Sequence, residues 1–329
     1  MPSPRALVVA ALLAGRGLGW SITPFLARHD AASSSEPAVL LSGRDSPAPD
    51  PPSPPAPPGE EAAAPALTPK YFHEPGGSLA RGHYDERFFR EEMGYDEHRR
   101  VLRQLIRSYL ATAARHGFET WLAHGTLLGW WWNGRAMPWD YDLDVQVSDA
   151  TLRWMAARLN RTEHEFNATD ADADSPDADS SGPRRYLLDV NPHHADLTRG
   201  DGMNIIDARW IDTANGMFVD ITGLRERDPA RPGLWSCKNM HRYASRDLWP
   251  MRLTEFEGAR ARIPYNVDRI LADEYGPQCL VTEEHAGHRW DRDIKEWVMM
   301  SPDEQQRRHH LVRERKRQQM IRDGRLPAP

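Results

Sequence analysis

The sequence predicts an α/β fold in which a mixed sheet is flanked by helices, preceded by a disordered N-terminal region. Three stretches support this prediction. Asp96–His116 repeats apolar residues at intervals of three and four, as on one face of a helix. Residues 140–147 alternate polar and apolar residues, which is typical of a strand. Asn204–Gly223 contains two apolar-rich runs around Thr213-Ala-Asn-Gly216, which predicts a hairpin.

The N-terminal part of the chain has the composition of a targeting segment and a linker. Residues 1–30 contain Arg5 followed by nine apolar residues, Ala6–Ala14. Nine residues are too few to cross a bilayer and match a signal peptide or, at most, a short membrane anchor. A buried N-terminal helix is the alternative. Residues 31–69 are rich in Ser, Pro and Ala, which predicts an extended, disordered linker.

The overall composition excludes several classes of protein. The net charge is -6 and the mean hydropathy is -0.70, which argues against a polytopic membrane protein and against a nucleic-acid partner. The only two cysteines, Cys237 and Cys279, are too few for a Cys-rich zinc site. They either form one disulfide or remain two buried thiols.

After the first helix, which Gly117 should end, the chain passes through a short strand at Thr120–Ala123 and a short helix at Thr126–Trp132. Backbone N–H groups at the start of that helix are suited to bind phosphate oxygens, so Gly125 and Thr126 are candidate phosphate-binding residues. Pro138 then favours an extended chain leading into the strand.

The strand at 140–147 would carry its apolar side chains on one face and its carboxylates on the other. The apolar set is Tyr141, Leu143, Val145 and Val147, and the polar set is Asp140, Asp142, Asp144 and Gln146. Neighbouring carboxylates repel each other unless a cation, a proton or water separates them. A Gly-Thr turn followed by an Asp-x-Asp strand is the layout of a nucleotidyltransferase-type site, and it predicts a metal-dependent phosphotransferase.

Strand geometry limits which acids can share an ion. Residues two apart on a strand lie roughly 6.6 Å apart on one face, whereas residues four apart lie roughly 13 Å apart. Asp142 must therefore belong to the pair, with either Asp140 or Asp144 as its partner. In the nucleotidyltransferase layout the metal ligands would be Asp142, Asp144 and, from a later strand, Asp220. Asp140 would support them or orient the acceptor as a base. The expected ion is Mg²⁺ or Mn²⁺, which oxygen ligands bind at about 2.1 Å.

Other residues have both a functional and a structural interpretation. Asp220 is a lone acid in a strand that is otherwise apolar, so it could equally be a salt-bridged structural residue. Arg135, Lys238 and His241 are further candidates for binding the phosphates of a donor. Lys238 and His241 lie in a segment without amphipathic pattern, where such side chains commonly face solvent.

The remaining segments are mostly peripheral in this interpretation. Residues 149–159 should be helical, and residues 162–182 are Asp-rich and predict an exposed, disordered insertion. Asn160 and Asn167 lie in glycosylation sequons. Ser301-Pro-Asp-Glu304 predicts the start of a basic C-terminal helix or tail over 301–329. The catalytic domain should therefore occupy residues 70–300.

The segment GTLLGWWWNGRAMPWDYDLDV resembles the central motif of the LicD/fukutin-like family. Three later segments, at 206–223, 237–239 and 256–276, resemble the fungal branch of that family, which includes proteins of mannosylphosphate transfer to cell-wall glycans. The resemblance implies a nucleotidyltransferase-like fold and the transfer of a phospho-substituted group from a nucleotide-activated donor to a sugar. The implied donor is GDP-mannose or a CDP-linked alcohol, and the implied acceptor is a glycan or glycoprotein.

These observations leave three functions open. The first is a phosphotransferase that moves mannose 1-phosphate, or a similar unit, to glycan hydroxyls. The second is an Asp-x-Asp metal-dependent glycosyltransferase, and the third is a non-catalytic regulator of a mannosylphosphate transferase. The N-terminal segment and the two sequons predict a place in the secretory pathway, either in the Golgi lumen or secreted.

Overall fold

In the computed structural model, residues 69–167, 183–197, 204–226 and 228–327 are described, and they all belong to one structural unit. The predicted targeting segment, nearly all of the predicted linker and residues 168–182 of the Asp-rich segment lie outside the described residues. Within the described ranges, no helix combines the length and the apolar character needed to span a membrane.

The centre of the described part is an eight-stranded sheet with the order β1-β2-β6-β5-β4-β3, which β7 and β8 extend from β6. Strands β2 and β6 run parallel, and the other neighbours are antiparallel, so the sheet is mixed as predicted. The strands are β1 (Trp121–Leu122), β2 (Leu143–Ser148), β3 (Thr162–Phe166), β4 (Arg184–Val190), β5 (Ala208–Asp212), β6 (Phe218–Glu226), β7 (Leu234–Ser236) and β8 (Arg242–Ala244).

Helices and two smaller sheets surround this sheet. The α-helices of the described ranges are α1 (Tyr95–His116), α2 (His124–Asn133), α3 (Asp149–Arg158), α4 (Ser245–Leu248), α5 (Val267–Tyr275) and α6 (Pro302–Arg322). Two short 3-10 helices span Ala80–His83 and Pro277–Leu280. The smaller sheets are a hairpin of β9 (Arg252–Phe256) and β10 (Ala259–Ile263), and a three-stranded sheet of β11 (Glu284–His285), β12 (His288–Asp291) and β13 (Glu296–Met299).

The predicted first helix is confirmed, and it covers one face of the sheet. Helix α1 buries the apolar stripe that its sequence shows and ends at Gly117, whose φ of 70° is readily adopted by glycine. Its Ser108 hydroxyl accepts a hydrogen bond from Trp210 Nε1 of β5 at 3.0 Å. Because Trp210 is fully buried, this bond satisfies a polar atom of the core.

The two faces of the central sheet differ in chemistry. Val145 of β2 lies beside Ile221 of β6, and this apolar face packs against α1 and α3. One residue earlier along each strand, Asp144 lies beside Asp220. Because successive side chains alternate across a sheet, these two acids point to the opposite face. The sheet therefore separates the apolar core from a polar region that holds the predicted acids.

Two predicted boundaries are wrong. Strand β2 begins at Leu143 rather than at residue 140, because the chain turns before it and the Asp140 N–H donates to the Met137 carbonyl at 3.0 Å. The predicted insertion at 162–182 begins with strand β3, which pairs with β4 along Thr162–Phe166. Every second residue of β3 is half-buried, and Phe166 packs on Tyr186. This alternating burial explains why the polar segment Thr162–Phe166 forms a strand.

Candidate functional site

Three carboxylates meet where the chain enters β2, and we call Asp140, Asp142 and Asp144 the acid corner. The side chains of Asp140 and Asp142 are close enough to influence each other, and Asp140 is the one that keeps a proton more readily. Burial, and then the charge of Asp142, raise the pKa of Asp140 well above its ordinary value. The same two causes raise the pKa of Asp144. Negative charge is thus concentrated here without full compensation.

The start of α2 forms one wall of the acid corner. A Cβ at Gly125 would lie 2.6 Å from Asp140 Oδ2, so glycine at this position makes room for the carboxylate. The Asp144 N–H donates to the Thr126 hydroxyl at 2.8 Å, which fixes the first turn of α2 against β2. Gly125 and Thr126 therefore position the acids, in addition to presenting backbone N–H groups at the helix start.

His83 supplies a partner for one acid of the corner. Its Nδ1 lies 3.4 Å from Asp142 Oδ2, and its ring stacks on Tyr141 at 6.0 Å between centroids. Burial raises the pKa of Asp142, but the hydrogen bond and charge of His83 outweigh this and bring it down to about 2. Asp142 is therefore ionised at neutral pH.

Asp220 faces the corner from the neighbouring strand and is ion-paired with Arg209. Asp144 and Asp220 are partners in the parallel β2–β6 pairing, and Arg209 Nε donates to Asp220 Oδ1 at 2.8 Å. The guanidinium also contacts Glu74 at 2.7 Å and stacks on the Phe218 ring, 3.6 Å from its centroid. Burial raises the pKa of Asp220, and Arg209 opposes this. Asp220 thus lies beside Asp144, as its interpretation as a metal ligand predicts. It is also salt-bridged, as its interpretation as a structural residue predicts.

A second polar group lies at the N-terminus of α2. His124 has a φ of 50°, which is uncommon for a residue with a side chain, and its Nδ1 donates to Glu274 Oε2 at 3.0 Å. Tyr243 donates to Glu274 Oε1 at 2.6 Å. Burial lowers the pKa of His124, but the charge of Glu274 outweighs it, with further contributions from Asp144 and Asp142, and the pKa rises to about 9. His124 therefore carries a positive charge close to the acid corner at neutral pH.

The three predicted phosphate-binding side chains lie in different environments. Arg135 is half-exposed and pairs with Glu296 at 2.6 Å. Lys238 is buried, and its ammonium lies 2.8 Å from Asp207 Oδ1. His241 packs on His124 with 4.3 Å between ring centroids, and burial, followed by the charge of His124, lowers its pKa to about 4. The structure thus brings His241 next to His124 and gives Arg135 and Lys238 other partners.

The chemistry of the acids suits a divalent metal ion, since carboxylate oxygens are the ligands of Mg²⁺ and Mn²⁺. The raised pKa of Asp144 reports an environment where added positive charge would be favourable. Among the residues that the structure describes, however, no three His, Cys, Asp or Glu side chains are grouped as ligands of one ion. The metal site with Asp142, Asp144 and Asp220 stays a prediction.

Residues 117–266 match the family model for the LicD/FKTN/FKRP nucleotidyltransferase domain. The chain contains a LicD-family domain. The matched segment includes the acid corner, Asp220, Arg209 and the start of α2. His83 and Glu274 lie outside it, although each contacts a residue inside it.

Two relatives of this LicD-domain chain are similar over longer segments. The chain is 33% identical to Mannosyltransferase regulator 4 of Saccharomyces cerevisiae over 218 residues, which cover 64% of this chain and 18% of that protein. It is 34% identical to Mannosyltransferase regulator 14 of the same yeast over 171 residues, which cover 49% of this chain and 17% of that protein. The chain thus spans less than a fifth of either relative.

Four residues of the site were not predicted from the sequence: His83, His124, Arg209 and Glu274. Arg209 could have been found, because the predicted turn at Thr213–Gly216 places it opposite Asp220 in the hairpin. His124 directly precedes the Gly-Thr pair, and its position in the same turn is the signal that could have identified it. No pattern in the sequence connects residue 83 with Asp142, or residue 274 with His124.

Proposed function

We propose that this chain is a metal-dependent phosphotransferase that moves a phospho-sugar from a nucleotide-activated donor to a glycan hydroxyl. The observation that carries the proposal is the in-register pairing of Asp144 and Asp220 on two parallel strands, with Asp142 at the head of the first strand. Both relatives are named as mannosyltransferase regulators, which favours mannose as the sugar. The donor would then be GDP-mannose and the transferred unit mannose 1-phosphate.

Asp142, Asp144 and Asp220 are the residues that would hold Mg²⁺ or Mn²⁺. When bound, the ion neutralises negative charge on the donor phosphates, which is the main requirement of phosphoryl transfer. Asp142 is ionised at neutral pH and ready to act as a ligand. His124 adds a fixed positive charge at the start of α2, where the free backbone N–H groups also favour phosphate oxygens.

Asp140 is suited to a different role. Because its pKa is raised well above the ordinary value, it is a stronger base than a solvent-exposed carboxylate. In this mechanism Asp140 first loses its own proton to solvent, and the resulting carboxylate accepts the proton of the attacking sugar hydroxyl. The hydroxyl oxygen attacks phosphorus, the nucleotide leaves, and no covalent enzyme intermediate forms.

The proposal is tested with purified chain, Mn²⁺, GDP-mannose and a mannooligosaccharide acceptor. A phosphodiester product is charged and acid-labile, which a glycosidic product is not. Asp144→Asn should reduce the rate at least about a hundredfold, because a metal ion contributes several kcal/mol to the stabilisation of transition-state charge. Arg260→Gln, on the exposed side of β10, is the matched control and should leave the rate unchanged. Equal rates for Asp144→Asn and the wild type would end this mechanism.

A regulatory function is the second candidate, and two observations favour it. Both relatives are named as regulators, and Asp220 is already ion-paired with Arg209. A regulator would neither turn over nor bind GDP-mannose, yet would raise the rate of a separate mannosyltransferase. A neutral glycosidic product would instead indicate an Asp-x-Asp glycosyltransferase.

We also propose that the chain acts in the secretory pathway. The two sequon asparagines, Asn160 and Asn167, are solvent-exposed. Both should therefore accept glycans in that compartment. Unchanged electrophoretic mobility of the native protein after endoglycosidase treatment would count against this location.

A further inference from the structure

A cleft of about 300 Å³ lies beside the site, between the segment Met240–Tyr243 and helix α5. This volume is at the lower end of the range of small-molecule sites, about 300–1,000 Å³. Its polar lining comes from both sides and includes Arg242, Asp247, Arg269, Asp273 and Glu274. The proposed mechanism uses none of these residues directly.

The cleft shares a wall with the acid corner. Glu274 and Tyr243 line the cleft and hydrogen-bond each other, and Glu274 also accepts the bond from His124. His241 lines the cleft and packs on His124. His124 in turn directly precedes Gly125, whose backbone lies against the Asp140 carboxylate. A ligand in the cleft would therefore lie one side-chain layer from the acids.

The charges of the cleft select against a nucleotide phosphate. Asp247, Asp273 and Glu274 oppose only Arg242 and Arg269. The guanidinium of Arg269 is already shared between Asp247 at 3.7 Å and Asp273 at 3.6 Å. Glu274 is in turn paired with His124. A pyrophosphate would therefore find no excess of positive charge here.

The same residues suit a neutral ligand rich in hydroxyl groups. Carboxylates accept hydrogen bonds from hydroxyls and guanidinium groups donate to them, and such charge-assisted bonds are stronger than neutral ones. Both ion pairs of Arg269 are long, and the one with Asp273 is solvent-exposed, so a ligand can replace that pair at little cost. Met240, which is largely exposed and lines the cleft, offers an apolar surface to the C–H face of a sugar ring.

We propose that this cleft binds a neutral sugar unit of the acceptor glycan and holds it beside the acid corner. The inference rests on the proposed transferase function, because only an acceptor has to be presented to these acids as a neutral sugar. It assigns Arg269 and Asp273 of α5 to acceptor binding, outside the segment that matches the LicD family.

The test measures sugar and nucleotide binding separately, on the whole chain and without turnover. Saturation-transfer NMR measures the binding of α-1,2-mannobiose in the cleft. Titration calorimetry measures the binding of GDP with Mg²⁺ at the donor site. Asp273→Asn and Arg269→Gln change side chains that are 73% and 50% exposed, so both variants should fold. Each should weaken mannobiose binding about tenfold, the size expected for one hydrogen bond to a charged group. GDP affinity should not change.

Arg260→Gln and Asp293→Asn are the matched controls, because both are exposed and lie outside the cleft. They should bind mannobiose as the wild type does. The inference is overturned if the wild type does not bind mannobiose, if the two cleft variants bind it normally, or if they lose GDP affinity instead. Failure of the transferase proposal would show differently, as absence of a phosphodiester product despite intact sugar binding.

Discussion

Two groups of buried charge lie on the central sheet, and they are built in opposite ways. In the first, the Lys238 ammonium pairs with Asp207 and donates to the carbonyls of His193 and Asn204 at 2.7 and 3.2 Å. The second oxygen of Asp207 accepts from the Gly223 N–H at 2.7 Å. Every charge in this group is matched, and the group ties the loop before β5 to the segment after β7.

The acid corner is the second group, and its charges are not matched. Asp140 and Asp144 are buried and face other carboxylates, and burial followed by the charge of Asp142 raises the pKa of both. Among the residues that the structure describes, Asp142 alone has a close basic partner there, His83. The comparison shows that buried charge on the same sheet serves the fold where it is paired, and is suited to binding a cation where it is left in excess.

The largest expected effect is on the matched pair. Lys238→Met should lower the free energy of unfolding by about 3–5 kcal/mol, because it leaves the Asp207 charge buried without a partner. Urea denaturation measures this change in the free energy of unfolding, with the exposed Arg260→Gln variant as control. A loss below about 1 kcal/mol would show that the two groups do not differ in the way described.

The His124–Glu274 pair gives an intermediate, pH-dependent effect. The pKa of His124 is about 9 in the fold against 6.5 for the free side chain. The protonation of His124 therefore stabilises the folded protein fully below pH 6.5, and this stabilisation is lost as the pH rises through 9. It amounts to roughly 3 kcal/mol. Glu274→Gln should remove the largest part of this stabilisation at pH 6 and should destabilise the protein little above pH 9.

Denaturant midpoints of the wild type and Glu274→Gln between pH 6 and 10 measure this convergence. Glu274 itself has a lowered pKa, so its contribution is lost only as the pH falls through that value, well outside the range tested. Two parallel stability curves would mean that His124 carries no charge in the folded protein.

The smallest effect should have the opposite sign. Asp144→Asn should stabilise the protein at neutral pH without added metal, because it removes one of several crowded carboxylates; about 1 kcal/mol is the scale for two like charges in contact. Since the pKa of Asp144 is raised, the gain should disappear as the pH falls and the wild-type carboxyl is protonated. A lower melting temperature for Asp144→Asn would place Asp144 with the matched group instead.

Local patterns in the sequence determined most of the elements. The apolar stripe predicts α1, the turn residues predict the β5–β6 hairpin, and Ser301 with Glu304 predicts the start of α6, where the structure shows the complete capping box. Each of these depends on residues that are close together in the chain. The placement of Asp144 and Asp220 on strands follows from the same local reasoning.

Only the tertiary structure decided the charge state and the partners of the site. The turn before β2 brings the Asp140 carboxylate against that of Asp142. In an extended strand, Asp140 would instead have lain far from Asp144. His83 and Glu274 reach the site because separate segments pack over the polar face of the sheet. Whether a carboxylate is paired, crowded or protonated depends on burial and on neighbours distant in the chain, and local periodicity contains no information about either. The sequence by itself therefore determined which acids to consider, and the packing decided which of them are left in excess.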